Sequence, residues 1–408
     1  MATDPCSAFA GLHVLDFTWV AVGPLITKYL ADNGAEVIKI ESATHPDVLR
    51  MAPPWADGKF GLNRSQFFAG YNTSKKSLTL DLNHPQARAL ARRMVEWADV
   101  VVENFTPKAM RKWELDYDHL CSLKPDLIML SSCLQGQTGP HAMMPGFGQL
   151  MAALSGFVYI SGYPDGEPAP PYGAYTDYVA PRLGATALIA ALDYRQRTGR
   201  GQYIDLSQYE ASLHFLAPAL IDHFATGRVL QPQGNHSDRY APHGAYRARD
   251  EGGEERWIAI AVSDDQQWQA LLATLGNPPG SEPFATMLER IRGGAALDSF
   301  IAAAVREQEV WDLTARLQAV GVAAYPVQNC LDLHHDDNLL AFDFWHWLEH
   351  REVGAAPYDG LAYRLERTPG QLRWAAPTLG QDTDQVLREV LGLEDGEIAR
   401  LRAAGALV

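Results

Sequence analysis

One acidic residue stands where it could act as a nucleophile. Asp177 lies in the stretch PPYGAYTDYVAPRLGATALIAALDYRQRTGRGQ (170–202), between a turn-rich segment and a long apolar run. An Asp that directly precedes a helix is commonly an N-cap, whose side-chain oxygen accepts backbone N–H bonds. A carboxylate can also attack an activated carbonyl group and form a covalent intermediate. Taken by itself, Asp177 is better explained as a helix N-cap, and a role as nucleophile stays open.

A second pattern matches a metal-binding motif. His346, Glu349 and His350 fit H-x-x-E-H, which binds zinc when both histidines lie on one face of a helix. The surrounding segment AFDFWHWLEHREVGAAP is rich in aromatic residues and is followed by Gly and Pro, which favours a strand. On a strand the two histidines would be about 13 Å apart, too far for one ion. We therefore predict no metal site here.

Three common nucleotide and hydrolase motifs do not occur in the sequence. The patterns G-x-G-x-x-G after the first strand, G-x-x-x-x-G-K-[ST] and G-x-S-x-G are absent, which argues against a dinucleotide site, a P-loop and a serine hydrolase. A net charge of −15 argues against nucleic-acid binding. Local lysines can still bind phosphate on an acidic protein, and Lys75, Lys76 and Lys112 are candidates, although surface charge is their default role.

Composition indicates a globular enzyme. The chain has 408 residues, of which 47% are apolar and 20% charged, enough for a large core and more than one domain. The start of the sequence shows no signal peptide and no apolar run reaches 18 residues, so we predict a cytoplasmic protein with no membrane association. The cysteines show no paired spacing, and we expect buried, reduced thiols at Cys6, Cys121, Cys133 and Cys330.

Strand-like and helical segments alternate along the first half of the chain. The segments LHVLDF, AEVIKIES, SLTLDL, DVVVENF, DLIMLSS and YIDLS read as strands, with helical patterns such as HPQARALARRMVEWA between them. This alternation predicts an α/β fold with a parallel sheet covered by helices. A helix is expected from about 208 to 225. The polar segment that follows, with a strand ERWIAIAV and later helices, predicts a smaller α+β unit over 226–328.

Several motifs in a fixed order resemble the class III CoA-transferase family, which includes formyl-CoA transferases, carnitine CoA-transferases and α-methylacyl-CoA racemases. The resemblance covers most of the chain, and these stretches carry it: GLHVLDFTWVAVGPLITKYLADNGAEVIKIES, KKSLTLDL, ADVVVENFTPKAMRKWELDYDHL, LIMLSSCLQGQTGP, GFGQLMAALSG and YTDYVAPRLGATALIAALDYRQRTGRGQYIDLSQYEA.

The resemblance implies a fold and an assembly. A large domain with a Rossmann-like sheet would be built from both chain ends, 1–225 and 329–408, with the small domain 226–328 inserted between them. Two subunits would thread through each other like linked rings. We therefore expect a homodimer, or a heteromer with a homologous chain.

The resemblance also implies a site. Asp177, ahead of the helix that leads to the T-G-x-G-Q turn at 198–202, matches the family's nucleophile. CoA would be a substrate and not a permanently bound cofactor, with a carboxylic acid as the second substrate. Positions implied to contact CoA are Val20 and Ala21 at the thiol end, Leu80, Asn104 and Phe105 at the nucleotide, Lys112 at the phosphates, and Phe147. Ser42 replaces a basic residue of some members, for which Lys75 or Lys76 could compensate.

One departure from the family bears on the reaction. The racemase branch has a catalytic His in a G-H-D motif, where this chain has Gly146-Phe147-Gly148. Without that base the transferase is favoured, with an aspartyl-CoA thioester, mixed anhydrides and succinyl-CoA as a possible donor. An α-methylacyl-CoA racemase or a CoA-binding subunit of a heteromeric transferase are the alternatives. The segment Pro242–Ala245 stands where formyl-CoA transferase has a Gly-rich loop, and it does not predict a lid.

Overall fold

A six-stranded parallel sheet forms the centre of the larger part of the molecule. The computed structural model describes residues 7–408, so Cys6 lies outside the described residues. The sheet consists of β1 (His13–Asp16), β2 (Glu36–Glu41), β3 (Lys75–Thr79), β4 (Val100–Glu103), β5 (Ile128–Cys133) and β6 (Gln202–Ser207). Its strand order is β3-β2-β1-β4-β5-β6, and every pairing is parallel. The predicted parallel α/β sheet is confirmed.

Some helices connect these strands and pack on the sheet, and others belong to the rest of the chain. The helices are α1 (Val22–Asp32), α2 (Gln66–Tyr71), α3 (Pro85–Trp97), α4 (Lys108–Trp113), α5 (Tyr117–Leu123), α6 (Gly148–Leu154), α7 (Phe157–Ile160), α8 (Tyr175–Thr198), α9 (Gln208–Leu213), α10 (Ala217–Thr226), α11 (Asp265–Thr274), α12 (Met287–Val305), α13 (Val310–Ala319), α14 (Cys330–His334), α15 (Asp337–Ala341), α16 (Thr383–Leu391) and α17 (Asp395–Ala403). The remaining strands are β7 (His243–Arg247), β8 (Trp257–Ala261), β9 (Ala323–Pro326), β10 (Trp345–His350) and β11 (Gly354–Asp359).

The core lies on both faces of the central sheet. Along β4, Val101 points into one apolar cluster, whereas Val100 and Val102 point into the cluster on the opposite face. Successive side chains of a strand face opposite sides, and a parallel sheet buries both. Leu90 and Met94 on α3 lie one helical turn apart and pack into the same cluster as Val101. These continuous apolar strands explain why the sheet could be predicted from the sequence.

Two predicted elements can be compared directly with the structure. The H-x-x-E-H segment forms strand β10, which pairs antiparallel with β11, so the predicted strand is confirmed. No group of three potential metal-binding side chains occurs within residues 7–408. The segment predicted as one helix over 208–225 is helical, but a short 3₁₀ turn, His214–Leu216, separates α9 from α10. Pro218 lacks an N–H and cannot continue the ladder of hydrogen bonds from α9.

The chain divides into two compact units. One comprises residues 7–157, 170–228 and 338–408 and contains the central sheet and the β10–β11 hairpin. The other comprises residues 158–169 and 229–337. It contains the antiparallel sheet β7-β8-β9, whose core includes Ile258, Ile260 and the fully buried Trp268. His243 and Gly244 belong to strand β7 in this unit.

The cysteines in the described residues are free, but the expectation that they are buried is wrong. Cys121 and Cys133 are partly exposed, and Cys330 is exposed at the first residue of the short helix α14. Over residues 7–408, no helix is both long enough and apolar enough to cross a bilayer.

Candidate active site

Asp177 lies inside the first turn of α8, not in front of it. The N-cap position belongs to Ala174, and no side chain caps this end of the helix. The interpretation of Asp177 as the N-cap of its own helix is therefore wrong. Its side chain is only 6% exposed, although a carboxylate without a basic partner normally stays in water. This burial requires another explanation.

The first residue of α6 explains part of the environment of Asp177. Thr176 Oγ1 donates a hydrogen bond of 2.9 Å to the carbonyl oxygen of Gly148. The backbone N–H of Gly148 in turn donates to the Asp177 carboxylate. A β-carbon at position 148 would lie 2.5 Å from Cγ and 2.8 Å from Oδ2 of Asp177, closer than atoms can approach. Only glycine fits between this helix end and the carboxylate.

Gln208 supplies a second donor to the carboxylate. It is the first residue of α9, is 3% exposed, and its Nε2 donates to Asp177 Oδ1. Burial raises the pKa of Asp177 to about 6, against the hydrogen bonds from Gln208 and Gly148 that lower it. At neutral pH the group is therefore an ionised carboxylate with little water around it. A poorly hydrated carboxylate held by two donors is suited to attack a carbonyl carbon.

Asp177 lines a cavity of about 160 Å³ at one end of the central sheet. Backbone segments that follow β1, β4 and β5 form much of its wall, as expected for a site at the carboxyl ends of parallel strands. The lining residues are Val20, Ala21, Val22, Asn104, Phe105, Thr106, Ser132, Cys133, Leu134, Ala142, Met144, Pro145, Gly146, Phe147, Asp177 and Gln208. The structure thus brings together Val20, Ala21, Asn104, Phe105, Phe147 and Asp177.

A smaller cavity of about 40 Å³ contains the predicted residue Leu80. Phe105 lines this cavity as well as the larger one. Its ring makes edge-to-face contacts with Trp19 and Trp113, at centroid distances of 5.3 and 5.6 Å. Ser42 also lines this cavity. Most of the residues that line this cavity are apolar.

Lys75 does not lie where a phosphate could reach it. Its side chain is fully buried, and Nζ donates to Asp16 Oδ2 at 3.0 Å, to the Pro24 carbonyl oxygen at 2.9 Å and to Asn72 Oδ1 at 2.9 Å. Burial lowers its pKa to about 8, against the attraction of Asp16. The ammonium group therefore has a structural role inside the sheet, and the structure does not bring it to either cavity.

The other two predicted lysines are accessible but lie outside the cavity walls. Lys76 is paired with Glu36, with 2.6 Å between Nζ and Oε1. Lys112 is exposed in the last turn of α4, and its Nζ lies 3.4 Å from Asn83 Oδ1. Lys112 directly precedes Trp113 in the sequence, and Trp113 lines the smaller cavity.

Sequence reasoning missed two residues that touch the carboxylate. Gln208 is 31 positions from Asp177, and no motif pointed to it. Gly148 was noticed only because the preceding residue is Phe147, although a glycine at a helix start could have indicated a close approach.

Comparison with known proteins shows the family to which the chain belongs. The sequence model of CoA-transferase family III matches residues 9–383. The chain belongs to this family. It is therefore an enzyme of the class III CoA-transferases, whose substrates are CoA thioesters and carboxylates.

The similarity extends over nearly the full length of individual relatives. The chain is 31% identical to succinyl-CoA–D-citramalate CoA-transferase of Chloroflexus aurantiacus, over 96% of each chain. It is 30% identical to the beta subunit of succinyl-CoA–L-malate CoA-transferase of the same organism, over 97% of this chain and 96% of the relative. A CaiB/BaiF family protein from Brucella suis has a similar structure, with a TM-score of 0.86 and 28% identity, over 95% of this chain and 100% of that one.

Proposed function

We propose that this enzyme moves CoA from an acyl-CoA donor to a carboxylic acid through a covalent intermediate on Asp177. One observation carries the proposal: the buried Asp177 carboxylate faces the same cavity as Val20, Ala21, Asn104 and Phe105. These are the positions at which the family resemblance implies contact with CoA. The thioester end of an acyl-CoA in this cavity would meet the carboxylate.

The chemistry follows from the reactivity of a carboxylate toward a thioester. An Asp177 oxygen attacks the acyl carbonyl carbon, the C–S bond breaks, and a mixed anhydride and CoA thiolate form. The thiolate then attacks the Asp177 carbonyl carbon, which gives an aspartyl-CoA thioester and releases the donor acid as its carboxylate. The acceptor carboxylate reverses these steps and leaves as its CoA thioester. Each step is easier than a direct exchange between two carboxylates.

The residues around Asp177 have matching roles in this scheme. Gln208 Nε2 and the Gly148 N–H donate to the ionised carboxylate and hold it in place. Both donors remain available to the carbonyl oxygen of the anhydride or thioester that replaces it. Phe147, Met144 and Leu134 line the same cavity and make this part of its wall apolar.

We propose succinyl-CoA as donor and a small dicarboxylate as acceptor. Two relatives that match nearly the whole chain have names that specify succinyl-CoA together with citramalate or malate. A 160 Å³ cavity is consistent with a short acyl group. The location of the protein in the cytosol stays a prediction.

The proposed assembly is a dimer, with either an identical or a homologous chain. Helix α10 has no buried residue, and Ile221 and Phe224 on it are 65% and 88% exposed. Exposed apolar side chains of this size commonly mark an interface between subunits. Relatives named as alpha and beta subunits show that heteromers exist in the family. Native mass spectrometry of the purified chain separates a monomer from a dimer directly.

The test of the proposed reaction is incubation with succinyl-CoA and a panel of dicarboxylates, followed by mass spectrometry of the CoA esters. We expect a new CoA ester that appears only with its acceptor. An α-methylacyl-CoA racemase would instead exchange the α-proton for deuterium without any acceptor. That alternative needs a second acid or base, and Phe147 occupies the position of the racemase His. Deuterium exchange without CoA transfer would overturn the proposal.

A further inference from the structure

A loop between β1 and α1 forms part of the cavity wall in a strained conformation. Val20 and Ala21 both line the cavity with Asp177. Val20 has a φ of +65°, in the left-handed region. For a β-branched residue this conformation is an outlier, and it persists only where the surroundings enforce it.

Buried side chains hold the residues that lead into Val20. The N–H of Thr18 donates to Asp16 Oδ1 at 2.9 Å. The N–H of Trp19 donates to Asn104 Oδ1 at 2.8 Å, and Asn104 Nδ2 donates to the Trp19 carbonyl oxygen at 2.6 Å. These hydrogen bonds hold the backbone of Thr18 and Trp19, the two residues that precede Val20.

Asp47 holds Val20 itself. Its Oδ1 accepts the N–H of Val20 at 3.0 Å and the N–H of Leu49 at 3.0 Å. Its Oδ2 lies 3.2 Å from Lys39 Nζ, and both side chains are fully buried. Its own N–H donates to Glu41 Oε1 at 3.2 Å. A carboxylate anchored in this way can impose a backbone conformation on the residue it binds.

We propose that Asp47 is a positioning residue of the active site, which holds Val20 in the left-handed conformation and so sets the cavity wall at Val20 and Ala21. The inference rests on the proposed function, because the wall is the one that would meet the thiol end of CoA. Asp47 lines neither cavity and acts only through the Val20 backbone. The competing explanation is that Asp47 serves the stability of the fold alone, as the partner of Lys39.

A double-mutant cycle separates the two explanations. Glycine adopts a positive φ without strain, so Val20→Gly removes most of the need for Asp47 to enforce it. We expect Asp47→Ala to raise KM for succinyl-CoA by about tenfold or more when Val20 is present, but by less than about threefold in the Val20→Gly background. Equal effects of Asp47→Ala in the two backgrounds would overturn the inference.

Two further variants keep the test decisive if Asp47→Ala does not fold. Asp47→Asn retains an oxygen that accepts the Val20 N–H but loses the charge that pairs with Lys39. It should lower Tm and leave KM within about threefold, whereas a large rise in KM would overturn the inference. The matched control is Asp32→Asn, which breaks the buried pair with Lys28 away from the cavity. It should lower Tm and show no coupling to Val20→Gly.

The cycle also distinguishes this inference from the proposed function. A wild-type enzyme that neither transfers CoA nor binds succinyl-CoA in calorimetry would overturn the proposed function. A wild-type enzyme that does both, but in which Val20→Gly leaves the effect of Asp47→Ala unchanged, would overturn the role of Asp47 alone.

Discussion

Gly148 stands so close to Asp177 that a β-carbon on it would lie 2.5 Å from the carboxylate carbon. The contact joins the first residue of α6 to the first turn of α8, and Thr176 reinforces it by donating to the Gly148 carbonyl oxygen. An acid is thereby held away from solvent, with backbone and side-chain donors as its partners. This arrangement is unusual for a structural Asp and typical of a catalytic carboxylate with a shifted pKa.

Replacing Gly148 should disturb the carboxylate more than the fold. In Gly148→Ala the new methyl group must push Asp177 out of its position, with a loss of about 1–3 kcal/mol in the free energy of unfolding. CoA transfer should fall by about 100-fold or more because the proposed nucleophile, Asp177, is displaced. The control is Gly396→Ala on α17, where a β-carbon would meet no atom within 4 Å. Wild-type activity in Gly148→Ala would show that the close approach is unimportant.

Removing the proposed nucleophile should abolish transfer while the fold is kept. Asp177→Asn retains the shape of the side chain but cannot form the aspartyl thioester, so we expect a loss on the order of 10³-fold or more. Asp193→Asn is the matched control, because Asp193 lies on the same helix, is exposed and pairs with Arg197 at 2.7 Å. Steady-state rates of both variants, with circular dichroism to check folding, decide the outcome. Comparable rates in the two variants would exclude Asp177 as the nucleophile.

The reaction of Asp177 with a donor should depend on its ionisation. Burial raises its pKa to about 6, and only the carboxylate form can attack a thioester. The rate of the first covalent step should therefore rise with pH and level off above about 7. Below pH 5 it should fall about tenfold per unit. Single-turnover measurements between pH 4.5 and 8 test this expectation, provided that the intact fold is verified at each pH. A flat profile would mean that another group reacts.

A second buried acid predicts a pH dependence of stability. Glu103 is 2% exposed, accepts the Phe105 N–H at 2.7 Å, and burial raises its pKa to about 7. Because the folded state holds this proton more tightly than the unfolded chain, stability falls as the pH rises from about 4.5 to 7. Glu103→Gln removes this pH-dependent loss of stability. At pH 8 the free energy of unfolding of the variant should exceed that of the wild type by at most about 3 kcal/mol. Denaturant unfolding at pH 5 and 8 measures the difference, which should largely vanish at the lower pH.

The sequence predicted those features that depend on local pattern. Strands such as Val100–Glu103 are apolar without interruption, because a parallel sheet buries both of their faces. Asp177 was singled out by the family resemblance, since its own residue pattern favoured a helix cap, and it lies in a cavity with Val20, Ala21, Asn104, Phe105 and Phe147. The strand that carries the H-x-x-E-H segment was predicted from its aromatic content.

Features that depend on distant partners could not be predicted. Lys75 was expected near a phosphate, but it pairs with Asp16, which is 59 positions away and shows no pattern that links the two. The same holds for Gln208, which reaches Asp177 only because β6 returns the chain to the edge of the cavity. The left-handed conformation of Val20 was also unforeseen, since a valine is among the residues least suited to it.

The most direct test of the central claim is peptide mass spectrometry of the enzyme after brief incubation with succinyl-CoA. We expect a CoA adduct on the peptide that contains Asp177, which hydroxylamine releases and which Asp177→Asn does not form. An enzyme that transfers CoA at full rate without any adduct on this peptide, or that forms the adduct on another residue, would contradict the account.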